Sequence, residues 1–182
     1  MIDMNETVVS SKRIYEGKVV NLRVDTVILP NGKEAKREIV EHSGAIAAVP
    51  LLDNGSVMLV RQYRQAASGP LLEIPAGGVN SGEDIDDCVR RELMEEIGLA
   101  PGEVQRLFSM FVAPGYSCEQ IHVYLARDFA KKKTKGDDDE FINTEILTLD
   151  EALAKIDDGE IRDAKSIAGL LYVYRMRVDG TI

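Results

Sequence analysis

Residues Gly77–Leu99, GGVNSGEDIDDCVRRELMEEIGL, decide how the rest of the chain is read. Ser81 with Asp84 three residues on has the pattern of a capping box, so a helix is expected to open there. Gly98 is a natural place for that helix to stop. Glu92, Glu95 and Glu96 then fall within an arc of roughly 100° at about 100° per residue. Carboxylates so close repel one another, and an isolated cluster of this kind is usually a solvated face. Here the cluster follows a Pro75-Ala76-Gly77-Gly78 turn, where backbone can approach a ligand closely. Ile85, Val89, Leu93 and Ile97 frame it with an apolar stripe, so the helix is half buried. Three carboxylates on such a face call for a counter-charge, and hard oxygen ligands suit Mg²⁺ or Mn²⁺.

The chain has 182 residues, 45% of them hydrophobic and 29% charged, which fits one globular domain with a small extension. Its net charge of −9 argues against a nucleic-acid partner. An acidic protein that handles an anionic substrate needs local positive charge, from a metal or from placed arginines. Cys88 and Cys118 make no disulfide framework; Cys88 is expected in the core. No membrane span is expected, and the polar start MIDMNETVVSSKR lacks a signal-peptide core, so a cytoplasmic protein is expected.

Along the chain, residues 1–10 read as loosely held. Val20–Asp25 alternates as a half-buried strand, Pro30-Asn31-Gly32 marks a turn, and Lys36–Glu41 returns as the second strand of a hairpin. Residues 1–43 are too few for a core of their own and must pack on the main body, 44–182, or on a second subunit. Strands are expected at Ala45–Leu52, Ser56–Arg64, Leu71–Ala76, Arg106–Val112, Gln120–Ala126 and Phe141–Leu147. Thr148 to Glu151 is a capping box opening a helix to about Ile156, and Asp163–Val178 is an amphipathic helix in which Tyr172 and Tyr174 pack. His122 reads as a strand residue, Lys131–Lys133 as a solvated loop, and Gly136–Glu140 as an acidic loop. Strands interleaved with helices give an α/β fold, a mixed sheet between helices.

The spacing in Gly77–Leu99 resembles the Nudix box, GX5EX7REUXEEXGU with U apolar, at every specified position. The resemblance implies an α/β/α sandwich with an N-terminal β-hairpin extension and metal-dependent hydrolysis of a nucleoside diphosphate linked to another group. It extends further. LLEIPAGGV, Pro114 fifteen residues after Leu99, and the Pro114-Gly115 segment leading to Glu119 resemble the ADP-ribose pyrophosphatase branch. That branch implies Glu92, Glu95, Glu96, the Ala76 carbonyl and Glu140 as metal ligands. It also implies Glu96, Asp138, Glu140 and Glu119 as catalytic groups, and Arg37, Arg64 and Glu119 as substrate contacts. Glu83 and Arg91 would brace the loop. An N-terminal piece such as 1–43 implies a homodimer. The expected reaction is cleavage of ADP-ribose to AMP and ribose 5-phosphate.

The chain departs from the branch where Val19-Val20 replaces an aromatic that stacks on adenine, leaving Tyr15 as a substitute, and where Asp138 replaces a glutamate. Tyr116, seventeen residues past the box, stands where dinucleoside polyphosphate hydrolases carry a tyrosine, so another nucleoside diphosphate sugar or a dinucleotide is the alternative substrate. A non-catalytic ligand sensor on the same fold is the remaining reading; the intact glutamates and the acidic balance count against it.

Overall fold

The computed structural model describes residues 3–131 and 141–182. They form two compact units, residues 3–44 with 111–120, and residues 45–110 with 121–131 and 141–182.

The first unit is an antiparallel sheet in the order β1-β2-β3, made of β1 (Thr7–Glu16), β2 (Asn21–Ile28) and β3 (Glu34–Glu41). The expected hairpin is therefore β2 and β3, and a third strand precedes it. Residues 7–10 are not loose: they open β1, whose ten residues are all exposed and which takes its form from pairing with β2. Register slips at Val8/Ser10 and Arg13/Tyr15 mark bulges along this edge strand. The turn from β2 to β3 closes through Gly32, at φ +79°, whose N–H reaches the Leu29 carbonyl at 2.8 Å. The 111–120 segment joins this unit through Val40, whose N–H donates to Tyr116 O at 2.8 Å and whose carbonyl accepts from Cys118 N at 3.0 Å.

The second unit is built on β4 (Ala45–Pro50), buried along its whole length. It runs parallel to β9 (Gln120–Lys131) and antiparallel to β7 (Ala76–Gly78), in a sheet whose far edge is β8 (Leu99–Phe111). A second sheet sets β5 (Ser56–Arg64) between β6 (Gly69–Glu73) and β10 (Asn143–Thr148). Both faces of β4 and β9 are covered, as a continuous apolar run requires. Ala45, Ala47, Val49, Val123 and Leu125 pack with Leu170 and Val173 of α3 (Ala164–Val178). Ile46, Ala48, Tyr124 and Ala126 pack with Cys88, Val89 and Leu93 of α1 (Ile85–Ile97). The result is the expected α/β fold, a mixed sheet layered between helices.

α3 approaches this sheet closely at Gly169, where a Cβ would stand 3.1 Å from both Ile74 and Val49 side chains. α2 (Leu149–Asp157) opens with the expected capping box. Thr148 Oγ1 accepts from Glu151 N at 3.2 Å, and Glu151 Oε2 accepts from Thr148 N at 2.8 Å. Tyr172 packs 5.1 Å from Phe108, ring to ring, and Tyr174 borders the same core. No helix among the described residues is long and apolar enough to cross a membrane.

Candidate active site

α1 starts one turn later than its sequence suggests. Its cap is Asp84, not Ser81; the Asp84 carboxylate accepts from Asp86 N at 2.9 Å and Asp87 N at 3.3 Å. Gly82, at φ +79°, turns the chain between Ser81 and the helix, and a carboxylate at the helix N-terminus also gains from the helix dipole. Gly98, at φ +68°, ends the helix as expected, its N–H reaching Met94 O at 3.2 Å. Cys88, Val89 and Leu93 are fully buried and fix the rotation of the helix, so the glutamate side faces the Ala76–Gly77 turn.

Two of the three helix glutamates are seated on that turn. A Cβ at Gly77 would lie 1.9 Å from the carboxyl carbon of Glu92, so only glycine leaves room for this carboxylate. Glu96, 9% exposed, accepts the Ala76 N–H at 3.1 Å. Arg91 then ties the acids together. Its Nη1 donates to Glu92 at 2.7 Å and Glu95 at 2.9 Å, its Nε and Nη2 to Glu83 at 2.7 and 3.0 Å, and Nη2 also to Gly78 O at 3.3 Å. Glu83 precedes the helix and accepts Asn80 N at 3.0 Å, which makes it a brace of the loop. The hydrogen bonds from Arg91, and after them Asn80 N–H, hold the Glu83 carboxyl down at about 2. The same carboxylates push the Arg91 guanidinium up. Cys88 is pushed up to about 12, first by burial and then by the charge of Glu83, so it is an inert core thiol.

The donor set fits a hard divalent cation. Glu92, Glu95 and Glu96 carry carboxylate oxygens, the Ala76–Gly77 backbone adjoins Glu92 and Glu96, and the site already draws one cation, Arg91, between Glu92 and Glu95. Among the described residues no three acidic, His or Cys side chains are gathered as a metal-holding group. Asp138 and Glu140 lie outside the described residues, as do Lys132 and Lys133.

Arg64, at the end of β5, gives a two-armed bond to Glu73, Nε at 2.8 Å and Nη2 at 2.9 Å. Glu73 is 1% exposed and also accepts from Lys165 Nζ. Sequence reading passed over Glu73. The signal was present: one charge inside the apolar run LLEIP must either be paired or cost several kcal/mol.

Arg37 and Glu119 belong to the first unit. Arg37 is forked onto Glu6, at 2.9 Å from Nε and 2.5 Å from Nη2. It lines a cavity of about 520 Å³ with Glu6, Phe111, Pro114 and Tyr116. Glu119 lies 3.8 Å from His42 Nδ1. Tyr15 is exposed and leans over Gly17, where a Cβ would meet its ring at 2.5 Å. His122 is occupied by Arg106 and Ser109, each 2.8 Å from Nδ1, and is lowered by burial and by the Arg106 charge.

Residues 41–170 match the family model described as the NUDIX domain, and residues 6–40 match the nucleoside diphosphate sugar hydrolase N-terminal domain. The chain is 35% identical to an ADP-ribose pyrophosphatase of Bacillus subtilis (strain 168), over 95% of both chains. It is 39% identical to the methanol dehydrogenase activator of Bacillus methanolicus, over 92% of both. It is 36% identical to a GDP-mannose pyrophosphatase of Citrobacter koseri, over 76% of this chain and 78% of that one. A crystal structure of an ADP compounds hydrolase shares the fold, with a TM-score of 0.86 at 20% identity, covering 97% of each chain. With every position of the box in place and the domain model matched over most of its length, the chain belongs to the Nudix family, as a pyrophosphohydrolase resembling the ADP-ribose pyrophosphatases.

Proposed function

We propose that this chain hydrolyses the pyrophosphate of ADP-ribose, giving AMP and ribose 5-phosphate. The observation that carries the reading is the seating of Glu92 on Gly77 and of Glu96 on the Ala76 N–H, which gathers hard oxygen donors where Gly77 leaves room for them. The substrate class, a nucleoside diphosphate sugar, is supported by the N-terminal family model and by the names of the relatives. Glu92, Glu95, Glu96 and the Ala76 carbonyl, joined by Glu140, would hold Mg²⁺ or Mn²⁺. When bound, such a cation neutralises the pyrophosphate oxygens and polarises phosphorus toward attack.

The chain's own groups do the rest. A carboxylate among Asp138, Glu140 and Glu119 takes the proton of the attacking water. The water oxygen bonds to phosphorus as the bridging P–O bond breaks, and each product leaves as a phosphate monoester. Arg64 and Arg37 hold phosphate or ribose oxygens through guanidinium donors, and Arg91 holds the Glu92 and Glu95 carboxylates in place through its Nη1 hydrogen bonds. The chain acts as a cytoplasmic homodimer through residues 1–43. The ten exposed residues of the edge strand β1, with Val8, Val9, Ile14 and Tyr15 open to solvent, support that assembly.

A second reading, GDP-mannose as substrate, is favoured by relatives of that name at 36% identity. Product analysis on ADP-ribose, GDP-mannose and diadenosine polyphosphates, with Mg²⁺ and with Mn²⁺, decides. AMP and ribose 5-phosphate as the fastest products support the first reading. Faster GDP-mannose cleavage transfers the assignment to the second, and no pyrophosphate cleavage with either metal contradicts both.

A further inference from the structure

We infer that Glu73 is a positioning residue: held by Lys165 at the start of α3, it fixes the guanidinium of Arg64 so that one arm is presented to a substrate oxyanion beside the glutamate helix. The inference rests on the reading of this site as a pyrophosphohydrolase, but not on which sugar the substrate carries.

Two arginines of the second unit show the contrast. Arg91 has all three nitrogens engaged, on Glu83, Glu92, Glu95 and the Gly78 carbonyl, and has nothing left to offer a ligand. Arg64 has Nε and Nη2 engaged, both on Glu73, while Nη1 donates to no described residue and the side chain is 40% exposed. A fork bonded along one edge cannot rotate, so the direction of the remaining arm is set by the carboxylate that holds it.

That carboxylate is itself immobile. Glu73 is almost fully buried, and Lys165 Nζ caps it while donating to Asp163 at 2.9 Å. Asp163 is also the N-cap of α3, accepting Ser166 N at 3.2 Å. The residues after Glu73 are pinned one by one. Ile74 N donates to the buried Ser166 Oγ at 2.8 Å, Pro75 O accepts from Ala48 N at 2.9 Å, and Ala76 N donates to Glu96. One rigid segment therefore carries Glu73, which grips Arg64, and Ala76, which Glu96 grips. The spacing between the Arg64 arm and the helix carboxylates is built into the backbone.

A purely structural role would make the same four charges a clamp between β6 and α3, and the two roles separate experimentally. Activity is read on whichever of ADP-ribose and GDP-mannose the wild type cleaves. Failure on ADP-ribose alone removes the sugar assignment and leaves this test intact; a wild type that cleaves neither overturns both. Arg64→Ala is expected to lose about 30-fold or more in kcat/KM, the scale of losing one charge-assisted hydrogen bond to an oxyanion. Added methylguanidinium is expected to restore part of that loss in Arg64→Ala but not in Arg64→Ala with Glu73→Gln, because the second lacks the seat. Equal rescue in the two backgrounds would overturn the proposal. Should Glu73→Gln not fold by circular dichroism, Arg64→Lys decides in its place: it keeps the charge but cannot be gripped along an edge, so it is expected to lose nearly as much as Arg64→Ala. Lysine working within about threefold of arginine would overturn the proposal.

Discussion

The two compact units use apolar residues in opposite ways. In the second, β4 is buried along all six residues and takes a helix on each face. In the first, β1 is exposed along all ten, with Val9 and Tyr15 more than half open to solvent. The second unit carries the thermodynamic core and the glutamate site; the first is a sheet whose edge strand has little to hold it except pairing. Burial therefore predicts where a substitution costs stability, and exposure predicts where it alters association.

The buried unit is most sensitive at Leu93, fully buried on the inner face of α1. Leu93→Ala is expected to lower the unfolding free energy by about 2–5 kcal/mol in urea titration. A cost below about 1 kcal/mol would mean that α1 is not anchored as described. Next comes Gly77→Ala, whose new Cβ would stand 1.9 Å from the Glu92 carboxyl carbon. It is expected to leave the fold in place and cut kcat/KM by about 100-fold, the effect of displacing a reacting group by about 1 Å. Wild-type activity in this variant would show that Glu92 need not sit against the turn.

A smaller effect is electrostatic. Glu83 is held at about 2 in the folded chain, against an ordinary value of 4.5. Its contribution is therefore fully present above pH 4.5 and is lost as pH falls from 4.5 toward 2. Glu73 is also held low overall, the hydrogen bonds from Arg64 and the charge of Lys165 outweighing the upward push of burial, and its contribution is lost in the same direction. Glu83→Gln should flatten the acid limb of the stability curve in thermal melts, and an unchanged limb would remove Arg91–Glu83 from the account. The smallest effect on folding belongs to Val9→Lys, expected within about 0.5 kcal/mol of wild type. The same substitution should weaken self-association in sedimentation velocity, and unchanged association would place the subunit contact elsewhere.

What could be read from sequence follows the same division. AIAAVP announces a buried strand because every side chain is apolar, and α1 announces itself by apolar residues at helical spacing around spaced glutamates. TVVSSKRIYE does not alternate, because neither of its faces is buried; only partnership with β2 makes it a strand. β8 begins at Leu99, well before the expected start at Arg106, through Pro101 and Gly102, residues that discourage a strand assignment. Gly102 is there because a Cβ would come within 2.9 Å of the Asp128 carbonyl, a contact formed across the sheet and absent from local pattern. The glutamates of the box were legible as a cluster of carboxylates on one face of a half-buried helix. Their bracing by Arg91, and the Arg64–Glu73–Lys165 chain, depend on which distant side chains the fold brings together.

We propose that the helix carboxylate seated on the Ala76 N–H is what makes a pyrophosphate bond breakable in the presence of a divalent cation. It is tested most directly by steady-state turnover of ADP-ribose by Glu96→Gln in saturating Mg²⁺, with the melting curve recorded on the same sample. The expected result is a folded protein whose turnover has fallen by at least about 100-fold, the scale of losing a group that acts in the transition state. A folded variant with turnover near that of the wild type would contradict it.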